Sequence, residues 1–368
     1  MKRQLTVICL VITLGALFLV PTSAISAEPK AVKFKYDTYL WPAASMEMLN
    51  AWLWDYVEKN SNGRIKISKF YSQALHKVPE ILPAVREGIS EIALVGFGYY
   101  PSDFPVSRGV EWYFRGCDHA DTMLYLMRDL YEQFPPLREE WENKNNLKVL
   151  YWGNFSYAPF FMRKPCPTLE DIKGKKIRAY GVGADTLQRL GATGMPIAAP
   201  EIQTSLQRGI IDGIFASCFI SVVPVKMHES APYIIEAGAG VHAPMPVCMN
   251  MDVWKSLDPE LKAVFEAGVK EIYDSKYLEL YTDGIAKAVD EAVADGAHFS
   301  KWSPEDIARA KALVHPAQVN KWIKEICPLS QTECKQMQAL IDKLIAKYEP
   351  NAKLKIPYDV YIDKYGGK

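Results

Sequence analysis

The sequence predicts an α/β protein of two domains built on largely parallel sheets. Three observations carry this. Strand and helix patterns alternate through the first part of the chain and again through its middle. Strands separated by helices are the signature of a parallel sheet. The length, 368 residues, suits two domains of common size. A helical pattern that begins at Asp258 is too long for one small domain.

The elements follow in order. "AVKFKYDTYLW" starts with the alternation Val32, Phe34, Tyr36 and reads as a strand. In "SMEMLNAWLWDYVEKNSNG" Leu49, Trp52, Leu53 and Tyr56 share one helix face, with Ser45 as the expected cap and Asn62-Gly63 as the stop. "RIKISKF" alternates, "VPEILPAVREG" is a short helix, and "SEIALVGFG" is an apolar run of buried-strand type. The middle repeats the style, with strands at "NLKVLYWG", "KKIRAYG", "MPIAA" and "GIFAS", and helices at "ADTLQRLGATG" and "PEIQTSLQRG". From Asp258-Pro259, a helix start with proline in the first turn, apolar residues keep helical spacing to about Asp295. One unbroken helix there would be about 55 Å long, roughly twice the width of a small domain. A break at Gly284 is the alternative.

The N-terminus has the three-part pattern of an export signal. Lys2 and Arg3 precede an apolar run from Leu5 to Val20, then Pro21 and small residues. The run is short for a membrane span of about 20 residues, so cleavage is expected in preference to an anchor, after Ala24 or after Ala27. Six cysteines remain beyond Cys9. In an oxidising compartment the best local pair is Cys327 with Cys334 in "CPLSQTEC". The pairing of Cys117, Cys166, Cys218 and Cys248 stays open. The net charge is zero, which argues against nucleic acid. No polybasic run addresses an anionic membrane.

The stretch "EDIKGKKIRAYGVGAD" places Arg178 near a strand's end, before a Gly-Val-Gly turn. Strand alternation puts Lys176, Arg178 and Tyr180 on one face, and Ile177 and Ala179 on the other. Ligands collect at such strand ends in α/β proteins.

"LEDIKGKKIRAYG" followed by "LQRLGATGMPIAAPEIQTSLQRGIIDG" resembles the DctP-type solute-binding proteins of TRAP transporters, the tripartite ATP-independent periplasmic systems. Upstream, "FYSQAL", "VREGISEIAL" and "YFRGCDHA" fall where that family has comparable segments. The resemblance covers essentially the whole mature chain. It implies a two-lobed periplasmic binding protein fold, with crossing strands and a long helix spanning both lobes. The lobes would be 28–154 plus about 242–280, and 155–241 plus about 281–345, after a signal peptide at 1–27 and with a C-terminal tail at 346–368. It implies a monomeric periplasmic receptor, without catalysis or cofactor, that delivers a small organic anion to a membrane permease driven by an ion gradient. A sensor that presents the anion to a signalling receptor would look the same in sequence.

Arg178 matches the family's carboxylate-binding arginine. Its planar fork suits a carboxylate or sulfonate and stays charged. Many members carry a second arginine where Tyr157 falls here, and an asparagine where Ala216 and Ser217 fall. Arg163 lies nearby, with its direction open. Further expected ligand contacts are Tyr39 and Trp41 after the first strand, Phe97 and Tyr99 after the third, Tyr180 beside Arg178, and Phe219 beyond Ser217. One arginine among aromatic and hydroxyl groups suits a small or aromatic monoanion better than a sugar acid with several charges.

Other patterns are set aside. "GVGADTLQRLGATG" fails the dinucleotide fingerprint because Thr186 stands at the third glycine position. In "CDHAD" the residues Cys117, His119 and Asp121 fall on different faces of a helix. "MHESAP" lacks the second histidine of a zinc-hydrolase helix. His76, His242, His298 and His315 show no metal-ligand spacing.

Overall fold

A computed structural model describes residues 31–154, 157–179, 181–197, 201–241 and 244–366. The expected signal segment, Tyr180 and His242 lie outside the described residues. The strands are β1 (Val32–Asp37), β2 (Ile65–Phe70), β3 (Ile92–Leu94), β4 (Leu147–Asn154), β5 (Phe160–Met162), β6 (Lys176–Arg178), β7 (Thr193–Met195), β8 (Gly213–Ile214), β9 (Tyr233–Glu236), β10 (Pro244–Asn250) and β11 (His298–Lys301). They form two sheets, in the orders β2-β1-β3-β10-β4 and β11-β9-β5-β8-β6-β7. The two-lobed α/β expectation holds.

The sheets are mixed where parallel ones were expected. β1 pairs with β2 and β3 in parallel, and β6 does so with β7 and β8. β10, however, runs antiparallel to β3 and β4, and β5 runs antiparallel to β8 and β9. The chain passes from one sheet to the other between β4 and β5 and returns between β9 and β10. A strand that arrives from the neighbouring lobe does not follow a βαβ crossover within its own sheet, so the parallel rule does not govern it.

Each sheet has its own aromatic core. In the first lobe Phe97, Phe104, Trp141 and Trp152 pack edge-on or stacked. In the second, Phe160 stacks on Phe215 and Trp302, and Phe161 stacks on Phe219. The pattern after Asp258 is one continuous helical stretch, Pro259–Glu271 and Tyr277–Ala294 with a wider π turn at Ile272–Lys276 between them. It does not break at Gly284. Its first half packs Phe265 against Phe34 and Trp254 of the first lobe. Its far end pairs Glu291 and Asp295 with Lys226 of the second. Midway, the hydroxyls of Tyr277 and Tyr281 donate to the side chain and backbone of Asn154, at the end of β4. The helix is thereby tied to the point where the chain leaves the first sheet.

Two boundary expectations need correction. The helix Ser45–Asn60 is preceded by Ala44 at its cap position, not by Ser45, and Ala44 brings no side-chain cap. The strand expected at "MPIAA" forms two residues earlier, as β7. Cys327 and Cys334 are joined by a disulfide, while Cys117, Cys166, Cys218 and Cys248 are free and buried. Among the described residues, no helix is long and apolar enough to cross a membrane, and no cluster is arranged to hold a metal ion.

Candidate functional site

Arg178 is the last residue of β6, and only 5% of its surface is exposed. Its backbone carbonyl accepts from Phe215 N–H at 2.8 Å, which locks the strand end to the segment after β8. Its side chain is held on three sides. Nε donates to the carbonyl of Ile197 at 3.0 Å, beyond β7. Nη1 donates to the carbonyl of Ala216 at 3.3 Å and to Ser217 Oγ at 2.9 Å, beyond β8. A buried guanidinium held this way has little rotamer freedom left to lose when an anion arrives.

The turn after Arg178 needs its glycines. Gly181 has φ +54°, and a side-chain carbon on it would come within 3.4 Å of Glu111 Oε1. A carbon on Gly183 would press on Ala179 and Ala216 at 3.1 and 3.3 Å. The short helix Gly183–Arg189 can therefore start close against the strand that carries Arg178.

Tyrosines of the first lobe lie within electrostatic range of Arg178. Tyr39 follows β1 and Tyr99 follows β3, and their rings meet edge-on at 5.4 Å. Burial raises the pKa of both phenols, and the positive charge of Arg178 partly offsets the rise. Tyr113 has the same balance, with nearby Glu111 adding to the rise. These three phenols therefore stay protonated, and that of Tyr39 donates to Met245 Sδ at 3.7 Å. Glu111 itself is buried beside Arg108, and burial pushes its carboxyl up to about 7.

The arrangement gathers Arg178, Ser217, Tyr39 and Tyr99 from the expected set. Trp41 follows in the same loop as Tyr39; its indole N–H is buried and meets no hydrogen-bond partner among the described residues. Three other expectations are placed differently. Phe97, 1% exposed, belongs to the first lobe's core, enclosed by Phe104, Trp141 and Trp152. Phe219, also 1% exposed, lies between Phe161 and Phe299 in the second. Tyr157 turns its hydroxyl to the backbone, donating to Leu354 O at 2.7 Å and accepting from Ala120 N–H at 3.3 Å. Arg163 is exposed and lies against Gly209. Tyr180 falls outside the described residues.

Tyr113 is not among the residues expected from the sequence, because it sits in the irregular segment "EWYFRG", where no periodicity points to a face.

Every contributor to this cluster except Tyr113 lies at or just beyond the C-terminal end of a strand with a parallel neighbour: β1 and β3 in one sheet, β6, β7 and β8 in the other. A buried arginine on one lobe within electrostatic range of tyrosines on the other is an arrangement that can take an anion between the lobes. The chain belongs to family 7 of the bacterial extracellular solute-binding proteins, whose model matches residues 40–325.

Among relatives, the chain is 28% identical over 175 residues to a solute-binding protein of Sulfitobacter sp., covering 47% of this chain and 51% of that protein. The chain thus spans about half the length of that relative. It is 22% identical over 294 residues to the monocarboxylate 2-oxoacid-binding periplasmic protein of Nostoc sp., covering 79% of this chain and 80% of that one. Among solved structures, a TRAP solute-binding protein from Rhodoferax ferrireducens, in complex with copurified benzoate, superposes with a TM-score of 0.75. It is 22% identical, and the match covers 88% of this chain and 100% of that one.

Proposed function

We propose that this protein is a periplasmic receptor, exported by a cleaved signal peptide. It binds a small organic anion between its lobes and delivers it to a TRAP permease for ion-gradient-driven uptake. The observation that carries the reading is the Arg178 guanidinium, buried at the end of β6 and held by Ile197, Ala216 and Ser217, with Tyr39, Tyr99 and Tyr113 within electrostatic range. The fork takes the carboxylate, and the phenols take the remaining acceptors or stack on a ring. With tyrosine, not arginine, at position 157, the pocket suits a small or aromatic monoanion. The 2-oxoacid named for the Nostoc relative and the benzoate in the Rhodoferax structure are ligands of that kind. A sulfonate offers the same oxygens to the fork. The lobes would divide at the two crossings, near 155 and near 242, and the protein works as a monomer.

A thermal-shift screen followed by calorimetry tests this reading. Benzoate, 3-hydroxybenzoate, pyruvate and small sulfonates are offered to the protein and to Arg178→Ala. At least one acid raises the melting temperature of the parent by mass action. The variant folds but loses that shift, because the anion would be buried without its counter-charge. Equal affinity in parent and variant would overturn the anchor role.

A further inference from the structure

The helix Ser45–Asn60 belongs to the first lobe. Glu47 and Asn50 on it bond Tyr36 of β1, and Trp54 packs on the same ring. The first N–H groups of any helix need partners from outside it. Ala44, at the cap position, offers none from its side chain. The partner comes from the other lobe. Ser45 N–H donates to Ser221 Oγ at 2.9 Å. Ser221 lies on the short helix Phe219–Val222, which follows β8 and packs into the second lobe through Phe219. The Ser221 hydroxyl donates in turn to Ser45 Oγ at 3.2 Å, and the Cys218 thiol donates to the same oxygen at 3.3 Å. Ser45 also bonds the Tyr281 hydroxyl, whose proton goes to Asn154 O at 2.9 Å. All these groups are buried.

The chain neighbours of this knot are the ligand contacts themselves. Cys218 follows Ser217, the partner of Arg178. Ser45 ends the loop that carries Tyr39 and Trp41. We infer that Ser221 is a positioning residue for ligand binding: by capping the helix Ser45–Asn60 across the lobe boundary, it holds the Tyr39–Trp41 loop in register with Arg178 and Ser217. The inference rests on the reading of Arg178 as the ligand anchor. Cys218 reports on the knot, because the cross-lobe contacts keep its thiol covered and burial pushes its pKa up to about 11. Labelling at this position therefore requires the knot to open.

The experiment uses the ligand-free protein with its disulfide intact, as parent, Ser221→Ala and Ser221→Thr. N-ethylmaleimide labelling of each free cysteine is followed by mass spectrometry, and amide exchange is followed over residues 39–48. Losing one helix cap raises Cys218 labelling and exchange at the start of the helix about fivefold in Ser221→Ala. Cys248, buried within β10, keeps its parental rate, and Ser221→Thr restores the parental behaviour by keeping the hydroxyl. Unchanged Cys218 labelling, or exchange over 39–48 that does not respond, overturns the inference. So does a parallel rise at Cys248, which would mean general loosening. The same three proteins are then titrated with benzoate and with pyruvate. Ser221→Ala binds about fivefold more weakly and Ser221→Thr binds as the parent does. Parental affinity in Ser221→Ala overturns the positioning role, while the fate of the Arg178 anchor is read separately from Arg178→Ala.

Discussion

Arg178 Nη1 and Ser217 Oγ are joined at 2.9 Å across the ends of two adjacent parallel strands. The bond orients the guanidinium from within its own lobe. Ser217→Ala removes one partner of the fork and leaves the Ile197 and Ala216 carbonyls in place. Affinity for the acid that the screen identifies should fall about fivefold, the worth of one net hydrogen bond. Arg178→Lys should cost much more, because one ammonium cannot meet Ile197 O, Ala216 O and Ser217 Oγ while presenting a fork to the ligand. Calorimetry on both variants checks the order. A lysine variant that binds better than the serine variant would show that charge alone, not the fork, holds the ligand.

Tyr157 makes the opposite case. Its hydroxyl lies between Leu354 O and Ala120 N–H, both in backbone segments of the surrounding fold. Tyr157→Phe leaves a buried donor and a buried acceptor short of a partner, at a cost of about 1–3 kcal/mol in urea unfolding. Ligand affinity should stay at the parental value. A variant with parental stability and weakened binding would return Tyr157 to the ligand.

What was legible in the sequence follows from which residues obey a local period. Arg178 could be placed because β6 alternates and a Gly-Val-Gly turn follows it. The long helix could be placed because its apolar spacing runs unbroken across both lobes. Tyr39 and Tyr99 were reachable as residues just beyond strand ends. Phe97 and Phe219 occupy equivalent positions in sequence, yet their rings turn into the cores. The direction of a loop side chain depends on what packs against it, and here that comes from distant segments, Trp141 and Trp152 for Phe97, Phe161 and Phe299 for Phe219. Tyr113 and the antiparallel courses of β5 and β10 were hidden for the same reason. The cap on Ser45 N–H comes from Ser221, 176 residues away. No local rule reaches that far.

Four carboxyls give stability a pH dependence. Burial pushes Glu47, Glu111, Glu140 and Glu236 up to about 7. The native state therefore holds their protons more tightly than the unfolded chain, whose carboxyls titrate near 4.5. This contribution is complete below about pH 4.5 and is lost as pH rises through about 7. The depressed carboxyls Asp129 and Asp185 act in a separate window, losing their contribution only in stronger acid. The melting temperature should thus fall between about pH 4.5 and about pH 7 and level off above that. Glu47 Oε1 accepts from the hydroxyls of Tyr36 and Thr38, so Glu47→Gln keeps an acceptor there and removes the titration. Its melting temperature should depend less steeply on pH than the parent's. An identical slope would show that Glu47 is not among the groups responsible.

The disulfide Cys327–Cys334 links residues seven apart. It joins the end of the wide helical turn Trp322–Ile326 to the first turn of the helix Gln331–Tyr348. That second helix carries Gln338 and Asp342, which bond the buried Arg115 guanidinium. Cross-linking so short a loop removes about 2 kcal/mol of denatured-state freedom. The paired substitution Cys327→Ser, Cys334→Ser should lower unfolding stability by about that amount in urea, as should mild reduction of the parent. Ligand affinity should not change, because the contacts described for Arg178, at Ile197, Ala216 and Ser217, lie outside this hairpin. Ser330 and Glu333 already form a reciprocal cap at the start of the helix, independent of the sulfurs. If the paired variant unfolds at the parental urea concentration, that cap orders the hairpin alone and the bond serves another purpose. If it unfolds earlier by the stated amount, the crosslink acts on the unfolded chain, as loop closure requires.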